Sequence, residues 1–133
     1  MVGIAGEQPA DLYRVIVADD AAGMRELMRT LLSLEPDFEV VGQAGDGVEA
    51  VALVTELRPD LVVIDVSMPI MDGLEAIQAI RLVSPETRVV VLSGERHPLP
   101  AGADAHIDKG TDNDVVVATL RSLCQAGRSP VTG

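Results

Sequence analysis

The 133 residues suit one domain with a real core, and 47% hydrophobic content with a mean hydropathy of +0.28 excludes a disordered chain. Ten Lys and Arg against 21 Asp and Glu leave a net charge of −11, so nucleic-acid phosphate and anionic membranes would repel it. One cysteine, Cys124, excludes a disulfide framework and a Cys-based zinc site and fits a reducing compartment.

Aromatics are only 2%, so the core must be aliphatic. Residues 1–11 are small and polar and read as a flexible lead-in. They carry no basic segment followed by an apolar one, and no run reaches the ~18 apolar residues of a membrane span, so a cytoplasmic location is expected. Leu12 to Ala18 is a first strand rich in β-branched residues, and it ends in Asp19-Asp20. At ~5 Å and an effective dielectric of ~20, two like charges cost about 3 kcal/mol, so a cation or a lysine is expected beside them. The plainer alternative is a solvated pair at a helix start, which acids suit.

Met24, Leu27, Met28, Leu31 and Leu32 recur at helical spacing, predicting an amphipathic helix from Ala22 to Leu34, closed by Pro36. Phe38 to Gly42 is a short second strand. The glycine-rich Gly42–Gly47 that follows lacks both GxGxxG and GK[ST], so a tight turn is expected there in preference to a phosphate cradle. Val48, Val51, Ala52 and Leu57 line a second helix ending near Pro59.

Leu61-Val62-Val63-Ile64 is a continuous apolar run, the mark of a strand buried on both faces. It ends in Asp65, followed by Met68-Pro69, Met71-Asp72 and Gly73. Gly73 to Val83 is a third helix with Leu74, Ile77 and Ile80 on one face, and Ser84-Pro85 ends it. Arg88 to Ser93 is a fourth strand. Gly94 to Gly102 holds two prolines, Pro98 and Pro100, and cannot form a long helix. Ala105 to Lys109 is a last strand. Asp112 or Asn113 caps a last helix carrying Val115, Val116, Thr119, Leu120 and Leu123, and 127–133 is a polar, mobile tail.

Alternating strands and helices imply an α/β, doubly wound, five-stranded parallel sheet. All strands of such a sheet end on one side, where open sheets bind ligands. Asp19-Asp20, Asp65, Ser93 and Lys109 stand at four of the five strand ends and converge there. Three carboxylates suit a hard cation such as Mg2+, which takes oxygen ligands and favours phosphate. Lysine and a serine hydroxyl suit phosphate oxygens. A carboxylate held among them is a plausible nucleophile toward phosphorus, and phosphoryl transfer needs mainly positioning and charge neutralisation.

Across Leu12 to Ala126 this pattern resembles the receiver domain of two-component response regulators. Val15 to Asp20, Ile64 to Pro69 with Met71-Asp72-Gly73, Ser93 and Lys109 carry the resemblance. It implies a flavodoxin-like (CheY-like) sheet of strand order 2-1-3-4-5 and a receiver domain over 12–126. It implies a sensor histidine kinase as donor and Asp65 as phosphoacceptor. Mg2+ would be held by Asp19, Asp20, Asp65 and the Ser67 backbone carbonyl, with Ser93 and Lys109 on the phosphoryl group. On this reading the chain is no enzyme but a signalling domain that promotes its own phosphorylation and dephosphorylation. The partners implied are the kinase and either a second copy or a downstream output protein, with no direct nucleic-acid or membrane binding.

Three departures stand out. Lys109 follows Ser93 by 16 positions, roughly one to two helical turns fewer than the family pattern, so the fourth helix is short or absent. His106 occupies the position of the family's Tyr/Phe rotameric switch, as a pH-responsive switch beside Ser93 or, more plainly, as a partly exposed histidine without a role. Lys109-Gly110-Thr111-Asp112 resembles receivers that precede a helix-turn-helix DNA-binding domain, a transcription-regulation setting. An alternative in another class is a phosphorylation-independent interaction module. A small phosphatase lacks a second acid two residues after Asp65, where Ser67 stands. A flavodoxin-like electron carrier would need a first loop less acidic than Asp19-Asp20-Ala21-Ala22. His97, Cys124 and Met24, Met28, Met68 and Met71 read as solvent, packing or turn residues.

Overall fold

The apolar run ahead of Asp65 is the middle strand of a five-stranded parallel sheet in the computed structural model, which describes residues 12–66, 68, 72–94 and 98–127. The elements are β1 (Tyr13–Ala18), α1 (Ala22–Ser33), β2 (Phe38–Ala44), α2 (Gly47–Leu57), β3 (Leu61–Ile64), α3 (Gly73–Val83), β4 (Arg88–Ser93), β5 (Ala105–Asp108) and α4 (Asn113–Gly127). The spatial order is β2-β1-β3-β4-β5, with every pairing parallel. That is the 2-1-3-4-5 order implied by the resemblance.

Strand side chains alternate between two cores, because successive residues of a strand face opposite sides. Val15, Val17, Leu61, Val63, Val90 and Leu92 pack with Met28 and Leu32 of α1 and Val116, Val117, Leu120 and Cys124 of α4. Ile16, Ala18, Val62, Ile64, Val89 and Val91 pack with Ala50 and Val54 of α2 and Ala76, Ile77 and Ile80 of α3. Both faces of β3 are therefore apolar. The chain's one Tyr and one Phe meet in the first core, with Tyr13 and Phe38 ring centroids 5.6 Å apart.

Several local expectations are corrected. The second strand does not stop at Gly42 but runs to Ala44, with an irregularity that pairs Val15 with Val40 and Ile16 with Gly42. A bulge of this kind suits a glycine-containing strand. The remaining turn closes on itself: Glu49 N donates to Asp46 Oδ1 at 2.8 Å, and Gly45 N donates to Glu49 Oε1 at 2.7 Å. Two carboxylates occupy the amides a phosphate would need. The helix faces also differ: Leu27, Val48, Ala52, Leu74 and Val115 are exposed. The expectations for residues 1–11, Ser67, Pro69, Met71, His97 and 128–133 lie outside the described residues.

Among the described residues 98–104 there is no helix, and the segment is fastened to α3 instead. Gln78 Nε2 donates to Ala101 O at 2.9 Å. Arg81 donates to Gly102 O at 2.6 Å, Pro85 O at 3.0 Å, Thr87 O at 2.8 Å and the Asp104 carboxylate at 2.5 Å. Gly102 has φ +91°, a conformation other residues rarely adopt. Asp104 in turn pins β5 to β4: its amide donates to Val89 O at 2.7 Å and its carboxylate accepts from Val89 N at 2.8 Å. A one-residue slip would turn every β5 side chain to the wrong face, so this lock fixes where Lys109 emerges.

At the amino edge, Arg121 of α4 binds Asp37 at 2.7 Å and Glu35 at 2.9 Å and lies 5.6 Å above the Phe38 ring. The Arg121 hydrogen bond holds the Asp37 carboxyl below its ordinary value of 3.8, against the opposing effect of burial. A depressed carboxyl contributes stability that is present above its unfolded pKa and is lost as pH falls through its folded pKa. Arg121→Ala is therefore expected to cost about 1 kcal/mol at neutral pH. The gap to wild type should narrow below about pH 4. Urea unfolding at two pH values checks this; an equal gap at both would refute the assignment.

Candidate functional site

The carboxyl edge of the sheet gathers the predicted side chains. β1 ends at Ala18 and β3 at Ile64, paired with each other, so Asp19 and Asp65 leave adjacent strands at the same level. Asp19 N donates to Ala44 O at 3.0 Å and Asp65 N to Ala18 O at 2.9 Å, which carries the ladder one residue beyond each strand. Asp19 and Asp65 are buried, whereas Asp20 is exposed. One carboxylate oxygen from each of the three lies within 4.8 Å of the others.

Lys109 enters from the end of β5, its amide donating to Ser93 O at 2.9 Å. Its Nζ is 3.0 Å from Asp19 Oδ2 and 3.4 Å from Asp65 Oδ2. Burial pulls the ammonium pKa down, but the hydrogen bond and charge of Asp19, with those of Asp65, outweigh it, so the pKa lies above the usual lysine value. Lys109 thus stays charged and offsets part of the repulsion between two buried acids. Ser93 is buried at the end of β4, opposite Asp108 in register. His106 is partly buried on β5 beside Val91, and its Nε2 is enclosed without a hydrogen-bond partner among the described residues.

The donor set fits a hard divalent cation: three carboxylates, two of them buried and one open to solvent, with no soft ligand among them.

Two residues at this edge were not singled out from sequence as parts of the site. Gly73 begins α3 so close to the end of β3 that a Cβ there would lie 2.4 Å from Asp65 O and from Val66 Cα. Asp72 caps the same helix, accepting from Glu75 N at 2.9 Å. Arg25 of α1 reaches the acid pair, with Nη1 donating to Asp19 O at 2.6 Å. For Gly73 the signal was an Asp-Gly step just before an apolar helix. For Arg25 it was a cation in the first turns after the acid pair, since helical side chains lean toward the helix start.

The response regulator receiver domain model matches residues 15–121. The chain belongs to this family. It is 38% identical over 112 residues to the transcriptional regulatory protein YhcZ of Bacillus subtilis strain 168, covering 80% of this chain and 52% of that one. The response regulator domain of Thermotoga maritima CheB superposes with a TM-score of 0.76 at 33% identity, covering 90% of this chain and 99% of that domain. A CheX–CheY complex with BeF3 and Mg2+ from Borrelia burgdorferi matches with a TM-score of 0.78 at 25% identity, covering 84% of this chain and 88% of the other. The receiver spans about half the length, or less, of the curated relatives it matches. No helix among its described residues is long and apolar enough to cross a membrane.

Proposed function

We propose that this receiver accepts a phosphoryl group on Asp65 from the phosphohistidine of a sensor kinase, in the cytoplasm, in a Mg2+-dependent reaction, and switches a partner or an output domain. The observation that carries the reading is the meeting of Asp19, Asp20, Asp65 and Lys109 at one sheet edge. An Asp65 carboxylate oxygen forms the new P–O bond while the P–N bond to the donor imidazole breaks, and the imidazole leaves with the bonding pair. Asp19, Asp20, Asp65 and the Ser67 carbonyl would hold Mg2+, which supplies charge neutralisation at the phosphoryl oxygens when bound.

Lys109 would exchange part of its hold on Asp65 for a phosphoryl oxygen. Its bond to Asp19 keeps the ammonium in place during that exchange. Ser93, and the carbonyl through which it holds the Lys109 amide, would report the new charge to β4 and β5. His106 would follow as the switch position on β5, paired with Val91 on the α2 and α3 side of the sheet.

Incubation with acetyl phosphate, with and without Mg2+, followed by intact-mass measurement tests the reading. A base-labile adduct that depends on Mg2+ is the expected result. The fastening of 98–104 to α3 favours one second reading, an interaction module working without phosphorylation, and no adduct under any condition would favour it. Asp20→Ala removes the solvent-facing carboxylate while leaving the buried pair on Lys109. It is expected to weaken Mg2+ affinity about tenfold or more with little change in stability. An unchanged Mg2+ titration would remove Asp20 from the site.

A further inference from the structure

Asp19 is held at every polar atom. Its amide donates to Ala44 O at 3.0 Å; Oδ1 accepts from Ala21 N at 2.9 Å; Oδ2 meets Lys109 Nζ at 3.0 Å; and its carbonyl accepts from Arg25 Nη1 at 2.6 Å. Asp20 is the opposite case: exposed, with no hydrogen bond or ion pair to its carboxylate among the described residues. Its direction is therefore set by the backbone, above all by the peptide that joins it to Asp19. The carbonyl of that peptide is the atom Arg25 holds.

The guanidinium has a seat of its own. A Cβ at Gly45 would lie 3.4 Å from Arg25 Nη1 and 3.5 Å from Glu49 Oε1, and Glu49 is already bound to Gly45 N at 2.7 Å. Arg25 thus rests against the turn between β2 and α2, itself fixed by the α2 cap. The chain supplies no capping side chain at the start of α1, where Ala21 stands. Beside the bond from Ala21 N to Asp19 Oδ1, Arg25 ties the first turns of α1 to the end of β1.

We propose that Arg25 is a positioning residue for the cation site: by fixing the Asp19–Asp20 peptide it keeps the Asp20 carboxylate turned toward Asp65. The inference rests on the Mg2+ site proposed above. A competing physical role has the opposite sign. If Arg25 served only as a counter-charge to the acids, it would oppose a divalent cation, and removing it would tighten binding. If it positions Asp20, removing it weakens binding despite the more negative site.

Calorimetric titration of Mg2+ into the full chain decides the sign, with Asp20→Ala as reference. Arg25→Gln is expected to bind Mg2+ about five- to tenfold more weakly, the scale of one ordinary net hydrogen bond. Arg25→Lys, which can still reach the carbonyl, should stay within about threefold of wild type. Gly45→Val keeps the charge but crowds its seat, and should weaken binding in the same direction. In amide spectra recorded without metal, Arg25→Gln should move the Asp20 and Ala21 resonances and leave those of β3 and β4 in place. Equal or tighter Mg2+ binding by both Arg25→Gln and Gly45→Val would overturn the proposal. Wild type that takes up no Mg2+ would overturn the cation site itself, and this inference with it, before any variant is compared.

Discussion

Asp65→Asn is expected to gain no phosphoryl adduct from acetyl phosphate under conditions that fully label wild type. Asparagine keeps the shape of the side chain and can still accept from Lys109, whose Nζ lies 3.4 Å from Asp65 Oδ2. What it loses is the anionic nucleophile and one of the carboxylates that could ligate a cation. The neutral amide oxygen is too weak a nucleophile for transfer to phosphorus, so labelling should fall by at least about a thousandfold, or about 4 kcal/mol in the barrier. The variant should not unfold. Asp19 and Asp65 are buried together and share one ammonium, so removing one charge relieves a like-charge repulsion of about 1–3 kcal/mol and leaves the Lys109–Asp19 pair intact. Thermal unfolding at or above the wild-type temperature, with labelling abolished, is the predicted combination. Full labelling of the variant would place the phosphoacceptor elsewhere, with Asp20 the first residue to test. Lost labelling with a lowered unfolding temperature would point to a structural cause.

The parts of this site that sequence made legible are those where a strand pattern ends in an unexpected residue. Asp65 follows a strand buried throughout and Lys109 a short strand whose Ile107 is buried, and a polar residue at the end of a parallel strand stands at the carboxyl edge of the sheet. The strand order was not legible in this way; it came from the resemblance to receivers, since periodicity does not say which strand sits beside which. The helix faces were misread for a related reason. In α2, Val48, Ala50, Val51, Ala52, Leu53, Val54 and Leu57 cover most of the circumference, so spacing alone selects no face. The buried set, Ala50 and Val54, is chosen by the sheet beneath and by α3 alongside. Val48 and Ala52 face outward. The Arg81–Asp104 fastening was illegible because it joins α3 to a segment 23 positions away, and nothing local in either stretch marks the other.

Gly73→Ala is expected to be the most destabilising alanine substitution among the described glycines. Alanine is the better helix former by about 1 kcal/mol, so propensity alone predicts a gain. Packing decides otherwise. The added Cβ would sit 2.4 Å from Asp65 O, 2.4 Å from Val66 Cα and 3.0 Å from Asp65 C, all of them backbone atoms that cannot rotate away. Either α3 backs off, breaking the 3.1 Å bond from Gly73 N to Val66 O and thinning the core around Ala76 and Ile77, or the Asp65–Val66 backbone shifts. Forced repacking of this kind costs about 3 kcal/mol or more, a large part of the ~5–15 kcal/mol that holds a domain together. Two other glycines give the comparison. Gly23 in α1 has nothing within 4 Å of a Cβ, so Gly23→Ala should stabilise by about 0.5–1 kcal/mol. Gly94, where a Cβ would only graze Lys109 Cδ at 4.0 Å, should tolerate alanine with little change. Chemical denaturation of the three variants checks the order. Because the Asp65 carbonyl and carboxylate share one residue, folded Gly73→Ala should also label more slowly with acetyl phosphate than Gly94→Ala. A Gly73→Ala protein as stable as wild type would mean that α3 does not approach β3 as closely as these distances require.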